Sequence, residues 1–345
     1  MKSILKGPSR AIVSRAPARI DLAGGTVDIW PLYLFHSRAV TLNAAVGLSV
    51  RVRLVLAPGA GIRLEDGSTR AGRSWKSVGE MSRQRGLELY CRALEHFGIE
   101  DGLRIETTSD IPRGAGLAGS SALLVALCGA LCKLTGLRLA RESLVPLLRD
   151  IETRLIRVPA GLQDYYPALY GGVQALWWEA GRTRRERMLC STKRLEERLL
   201  LVYTGVSRYS GANNWEVFKR HLDGSRPVRG SMQQIVEAAR ELHAALSQGD
   251  FCGAGAAMAR EARARRRLFP GISTPLVQRL ERELMRLGAG AVKVCGAGGG
   301  GCVLVYAEPE VKSSLMAVIR KRGLEVLPLR IANRGWVLHT EMALP

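Results

Sequence analysis

Between residues 112 and 121 the chain reads PRGAGLAGSS, and it then runs into the almost wholly apolar stretch ALLVALCGALCKL. Nothing else in the sequence constrains the fold as strongly. Three glycines within six residues, Gly114, Gly116 and Gly119, let the backbone take left-handed conformations and approach a ligand closely. The helix expected to follow, ending near Leu134, is apolar nearly all round and must be buried. Its first turn carries Ser120 and Ser121. A helix start offers free N–H groups and partial positive charge, and serine hydroxyls there can bond phosphate or a magnesium ion. A buried helix with a glycine-rich start therefore predicts an anion site on a rigid base. The bland alternative is an N-capped core helix after a glycine turn. The stretch is no P-loop, because no Gly-Lys-Ser or Gly-Lys-Thr follows, and it fits a dinucleotide fingerprint poorly.

Bulk properties narrow the class. At 345 residues the chain suits two packed domains, and 47% apolar content supplies a real core. The net charge of +20 invites a nucleic-acid reading. Against that, the arginines are spread along the chain, with only short runs at Arg182–Arg187 and Arg263–Arg267, and there is no long basic tail or zinc-finger spacing. A basic field serves an anionic substrate or nucleotide phosphates at least as well. The seven cysteines form no CxxC pair and have apolar flanks, which predicts buried free thiols in a reducing compartment. The five histidines form no metal-ligand pair. Residues 1–20 are broken by Lys6, Pro8, Arg10, Arg15 and Pro17, so they do not read as a secretory signal. The longest apolar run, 117–131, is too short and interrupted for a membrane span. A cytoplasmic protein that leaves membranes alone is expected.

Periodicity places the elements. Strands are expected at 11–16, ending in a turn at Pro17, within 39–56, where SVRVRLVL alternates, and at 103–108, 172–179, 199–203, 291–295, 302–306 and 335–340. Helices are expected at 84–98, after the glycine loop, and at 141–157, 231–248, 251–268, 275–287 and 310–321. Strands and helices mix without strict alternation, which predicts an α+β fold with a soft boundary near 180–195.

Further unusual segments occur in order: APARIDLAGGTVD at 16–28, GLQDYYPALYGG at 161–172, YTGVSR at 203–208, RRLFPGIS at 266–273 and KVCGAGGGGC at 293–302. Together with the glycine loop they resemble the GHMP kinase superfamily over most of the chain. Within it they are most similar to the sugar-kinase branch of D-glycero-D-manno-heptose 7-phosphate kinases and fucokinase-like kinases.

The resemblance implies a two-domain GHMP kinase fold. An N-terminal ATP-binding domain like ribosomal protein S5 domain 2 would span 1–190, and a ferredoxin-like C-terminal domain 191–345. It implies an ATP- and magnesium-dependent kinase acting on a sugar or sugar phosphate, as monomer or homodimer. Carried over by position, Pro112, Gly114, Gly116, Leu117, Ala118, Gly119, Ser120 and Ser121 would wrap the ATP phosphates. Ser121 and Glu152 would hold magnesium, with Asp150 an alternative two positions away. Asp164 would be the catalytic base and Arg19 its companion. Gly24, Gly25, Asp28, Gln163, Gly298 and Gly299 would line the substrate side. An adenine pocket near Trp75 and Ser77 is the least anchored expectation. The first motif departs from the GGGTD usual in the sugar branch, which leaves the sugar open. Other readings are a kinase of mevalonate, homoserine or galactose type, a non-catalytic sugar- or nucleotide-binding regulator, and an RNA-binding protein using the S5-like domain.

Overall fold

The computed structural model describes residues 10–205 and 211–342; Val206, Ser207 and Arg208 of the YTGVSR segment lie outside the described residues. The first sheet is built from β1 (Arg10–Ala23), β2 (Val40–Leu56), β3 (Ile62–Asp66), β4 (Gly72–Trp75), β5 (Leu103–Ser109), β6 (Val173–Glu179) and β7 (Arg182–Arg187). The second sheet contains β8 (Leu199–Tyr203), β9 (Ala291–Val294), β10 (Cys302–Tyr306) and β11 (Glu325–Leu327). The last strand, β12 (Val337–Met342), leaves that half of the chain and returns to the first sheet beside β1. The first sheet runs β12-β1-β2-β5-β3-β4, with β6 and β7 branching off the N-terminal part of β2. The second runs β11-β8-β10-β9 with every pair antiparallel, the ferredoxin-like order.

The helices are α1 (Val78–Met81), α2 (Glu88–His96), α3 (Gly119–Thr135), α4 (Arg141–Ile156), α5 (Tyr165–Tyr170), α6 (Thr192–Arg198), α7 (Gly211–Leu222), α8 (Arg226–Gln248), α9 (Phe251–Leu268), α10 (Pro275–Arg286) and α11 (Pro309–Lys321). The α3 helix is buried from Ala122 to Cys132 except at Leu123 and packs on β1 and β2, as its all-round apolarity requires. Helix α8 lies against α9 and also reaches β1 and β2, so the two halves share a packed core. Five of the seven cysteines are buried and all are unpaired; Cys252 is exposed, contrary to the expectation for every thiol. No described helix is long and apolar enough to cross a membrane.

One local expectation changes, and two segments gain a structure that periodicity did not assign. Strand β1 does not end at Pro17; it runs on to Ala23 with a bulge between Pro17 and Ala18. Its pairing with β12 stops at Arg15, so the missing N–H of proline costs no ladder bond on that edge. The basic run Arg182–Arg187 is strand β7, hydrogen-bonded to β6. The segment after Gln163-Asp164 is the short helix α5.

The return of β12 explains one glycine. A Cβ at Gly129, in α3, would lie 2.4 Å from the ring of Trp336, whose indole N–H donates to Ser14 Oγ at 2.8 Å. Gly129→Ala should therefore overpack the contact and cost about 1–3 kcal/mol. Chemical denaturation followed by tryptophan fluorescence checks this; an unchanged midpoint would contradict the packing described.

Candidate active site

The two sheets meet around a cleft of about 1180 Å³. Its floor is the stretch Pro112–Ser121, every residue of which lines it. Gly116 has φ +73, and a Cβ there would lie 2.7 Å from the Cys295 carbonyl oxygen. The loop can therefore sit on the β9–β10 hairpin only because this position lacks a side chain. The hairpin backs the loop again where the Cys302 N–H donates to the Ala115 carbonyl at 2.7 Å. Ala118 precedes α3 at φ +59, a left-handed conformation that costs an alanine about 1 kcal/mol. No side chain caps α3, and the first intrahelical bond is Ala122 N–H to Ala118 O. The N–H groups at the start of the helix are thus left for a ligand in the cleft.

Strand β1 brings Arg19 to the same place. Its backbone N–H donates to Leu117 O at 3.1 Å and its Nη1 to Gly116 O at 2.8 Å. Its Nε donates to Asp164 Oδ1 at 2.7 Å. Burial works against the Arg19 charge, but Asp164, joined by Asp21 and Cys295, more than offsets this and holds the guanidinium above its ordinary pKa. Asp164 directly precedes α5 and lines the cleft, with its side chain 27% exposed.

Glu152, on α4, also lines the cleft. Its Oε2 accepts hydrogen bonds from Tyr165 Oη and, at 3.5 Å, from Ser121 Oγ. Burial, reinforced by the nearby Asp164, pushes its pKa to about 7 even though Tyr165 and Ser121 hydrogen-bond the ionised form. Asp150, the alternative, is exposed, is held by Arg149 at 2.7 Å and lies outside the cleft. Among the described residues no cluster of three or more His, Cys, Asp or Glu could hold a metal. A divalent ion here would have two hard protein oxygens, Ser121 Oγ and Glu152, and would draw its other ligands from water and nucleotide phosphate. That donor set suits magnesium, which keeps several waters.

The cleft is also lined by Thr26, Asp28, Gln163, Asn214 and Arg265. Asp28 accepts from the Gln163 backbone N–H at 3.0 Å and its side-chain amide at 3.2 Å. Burial pushes the Asp28 carboxyl up to about 6, against the pull of the Gln163 N–H. Gln163 Oε1 is buried without a hydrogen-bond partner among the described residues. Trp75, Leu64 and Tyr90, from β4, β3 and α2, line the cleft beyond β2 and β5. Ser77 is not part of this wall; it caps α1 by accepting from the Glu80 N–H.

Four glycines expected to contact substrate do not line the cleft. A Cβ at Gly24 would strike the Val40 carbonyl at 2.2 Å, and one at Gly25 would strike Asp21 Oδ2 at 2.2 Å. Gly298 packs on the Ile272 backbone, and the Gly299 N–H donates to Ile272 O at 2.9 Å. These positions let chain segments approach each other, while Gly296 and Ala297 are the hairpin residues that reach the cleft. Thr26 lies within the first motif, whereas sequence reasoning missed Asn214 and Arg265. Arg265 stood one residue before the RRLFPGIS segment, inside the short basic run Arg263–Arg267.

With this geometry in view, the relatives are informative. The model for the GHMP kinases N terminal domain matches residues 85–172, and that for the GHMP kinases C terminal domain matches 236–322. The chain belongs to the GHMP kinases, a family of ATP-dependent kinases. It is 26% identical over 337 residues to the D-glycero-alpha-D-manno-heptose 7-phosphate kinase of Campylobacter jejuni, covering 94% of this chain and 98% of that one. It is 29% identical over 250 residues to the mevalonate kinase of Thermococcus sibiricus, covering 70% and 71%. Its fold superposes on the crystal structure of a D-glycero-D-manno-heptose 1-phosphate kinase from Bacteroides thetaiotaomicron with a TM-score of 0.74, at 20% identity, over 97% of this chain and 100% of that one.

The raised pKa of Asp28 has a consequence for stability. Because its folded-state value lies above its ordinary 3.8, the ionised form is a cost to the native state. That cost is absent below about pH 4 and fully present above about pH 6, on the order of 2–3 kcal/mol. Asp28→Asn should therefore melt higher than the wild type at pH 7, with the gap closing as pH falls toward 4. Thermal melts across that range test it, and an Asp28→Asn protein less stable than the wild type at pH 7 would refute the account.

Proposed function

We propose that this kinase transfers the γ-phosphoryl group of ATP to a hydroxyl of a sugar or sugar phosphate. Our choice of acceptor is the anomeric hydroxyl of a heptose 7-phosphate, a choice supported by the similarity to a D-glycero-alpha-D-manno-heptose 7-phosphate kinase over nearly the whole chain. The observation that carries the reading is the 2.7 Å Arg19–Asp164 pair on the wall of a cleft whose floor is an uncapped helix start.

In this reading the adenine lies toward Trp75 and the phosphates lie over Gly114–Ser121, where backbone N–H groups neutralise their charge. Magnesium bound between Ser121 and Glu152 would add positive charge beside the transferring group. The acceptor occupies the end walled by Asp28 and Gln163. Its hydroxyl oxygen forms the new bond to the γ-phosphorus as the bond to the β,γ-bridging oxygen breaks and ADP departs. The hydroxyl proton passes to Asp164, which the Arg19 hydrogen bond at 2.7 Å holds in place and aims. Phosphoryl transfer depends chiefly on such positioning and charge compensation. The joint presence of Ser121, Glu152, Arg19 and Asp164 at one cleft argues against a regulator without catalysis.

A coupled ADP-release screen tests the acceptor. With magnesium and ATP, heptose 7-phosphates should give the highest kcat/KM among hexoses, heptoses, their phosphates, mevalonate and homoserine. Turnover on mevalonate or homoserine with none on any sugar would overturn the assignment. Asp164→Asn should lower kcat by about 10²–10⁴-fold with nucleotide affinity unchanged; near-wild-type turnover would remove the proton-accepting role. Glu152→Gln should raise the magnesium concentration needed for half-maximal rate while leaving metal-free ATP binding, measured by calorimetry, within about twofold.

A further inference from the structure

Arg265 is almost completely buried on α9, yet it reaches the acceptor end of the cleft. Its Nε and Nη2 donate to Glu261 Oε1 at 2.9 and 2.8 Å, and Nη2 also donates to Asp21 Oδ2 at 3.2 Å. Lys293, equally buried, closes the set from the other side, 2.8 Å from Glu261 Oε2 and 3.4 Å from Asp21 Oδ2. Two cations and two anions thus alternate around a ring, and two of the three guanidinium nitrogens are committed to it. Among the described residues the third, Nη1, meets only Thr26 Oγ1, at a long 3.5 Å. Thr26 Oγ1 in turn donates to Asn214 Oδ1, also at 3.5 Å. Both contacts sit at the limit of hydrogen bonding, so Nη1 retains donor capacity on the face that meets the cleft. Gly25 makes the arrangement possible, since a Cβ there would lie 2.6 Å from Arg265 Nη2.

We infer that Arg265 is a specificity-determining residue, donating through Nη1 to an uncharged oxygen of the acceptor, with Asn214 beside it. This rests on the proposed reading of the cleft as a sugar-kinase site and names which of its groups read the sugar. An arginine can be buried for two reasons, to stabilise or to present a donor. A purely structural ring would use the whole fork, and bidentate use of the remaining edge is what this guanidinium lacks. The charge balance selects the ligand. The ring is neutral as a whole, and the Asp28 carboxylate adds negative potential at Arg265. A phosphate or carboxylate placed on Nη1 would stand among Asp21, Glu261 and Asp28, whereas a hydroxyl or ring oxygen accepts the N–H without adding charge. The buried acceptor Gln163 Oε1 on the same wall supplies the complementary group for a hydroxyl proton. Donor and acceptor together read a polyol. A site built on paired polar groups rejects an analogue lacking the matching hydroxyl more sharply than an apolar pocket rejects a change in size.

The test uses the full chain with D-glycero-D-manno-heptose 7-phosphate as acceptor. Arg265→Lys keeps the positive charge in the ring but removes the second edge of the fork. It should raise the acceptor KM roughly 10- to 100-fold, the scale of a hydrogen bond to a charged group, with the ATP KM within about twofold. Asn214→Ala, which leaves the ring untouched, should raise the acceptor KM several-fold with the melting temperature unchanged, and it serves where Arg265→Lys does not fold. Inorganic phosphate should inhibit the wild type and Arg265→Lys equally. Folded Arg265→Lys and Asn214→Ala proteins with wild-type acceptor KM would overturn the inference. So would phosphate inhibition competitive with the acceptor and lost in Arg265→Lys, which would make Arg265 an anion ligand. A wild type that turns over other sugars but not this one moves the same measurements to the best of them, whereas a wild type without turnover on any sugar overturns the sugar-kinase reading and this inference with it.

Discussion

The ring of Asp21, Lys293, Glu261 and Arg265 joins β1, β9 and α9 with side chains that have almost no contact with water. None of these charges tolerates burial alone. Breaking a buried pair by removing one partner typically costs about 3–5 kcal/mol, because the survivor is left uncompensated. In Asp21 burial raises the carboxyl pKa, but Lys293, Arg265 and Arg19 bring it below its ordinary value. The ring can therefore form only when the C-terminal half is docked on the first sheet, and docking fixes what lies on either side of it. Two residues before Asp21 on the same face of β1 is Arg19; three residues after Lys293 is Gly296, at the cleft.

From that docking follows the rigidity of the glycine loop. The loop is gripped from one side by Arg19, through Gly116 O and Leu117 O, and from the other by the hairpin, through the Cys302 N–H and the close approach of Gly116 to Cys295. Its donors are held in place before any ligand arrives, which is how a site that acts mainly by positioning gains its effect. Three of the carboxyl groups lining the cleft sit in three environments. Asp164 is paired with an arginine and partly exposed, Asp28 is buried on amide donors, and Glu152 is buried beside a tyrosine and a serine hydroxyl. Their chemistry diverges because their surroundings do.

Much of this was legible beforehand, and the exceptions have physical causes. The helices α3, α9, α10 and α11 and the strands β8 and β10 sit close to where periodicity puts them, since each buries one face or all faces of a regular element. Strand β7 was hidden because RTRRER has no apolar residue to mark a buried face, so no hydropathy pattern reveals its pairing with β6. The continuation of β1 past Pro17 depended on which neighbour strand ran alongside it. Of the carried-over site residues, Arg19, Asp28, Glu152, Gln163, Asp164 and Pro112–Ser121 converge on one cleft, whereas Gly24, Gly25, Gly298 and Gly299 serve close packing. Glycine spacing announces that something approaches the backbone there; it does not say whether that is a ligand or another strand.

The amino-acid sequence by itself determined most of the longer elements, the buried helix with its open N-terminus, and the family to which the ordered motifs belong. All of these are encoded within windows of a few to some twenty residues, by periodicity, glycine placement and capping. Tertiary structure alone decided the pairings that make a site of them. Arg19 meets Asp164 across 145 positions, and Arg265 meets Asp21 across 244. An arginine inside RARRR looks like solvated charge until folding takes the water away, and what it can then bind depends on which carboxylates have been brought to it.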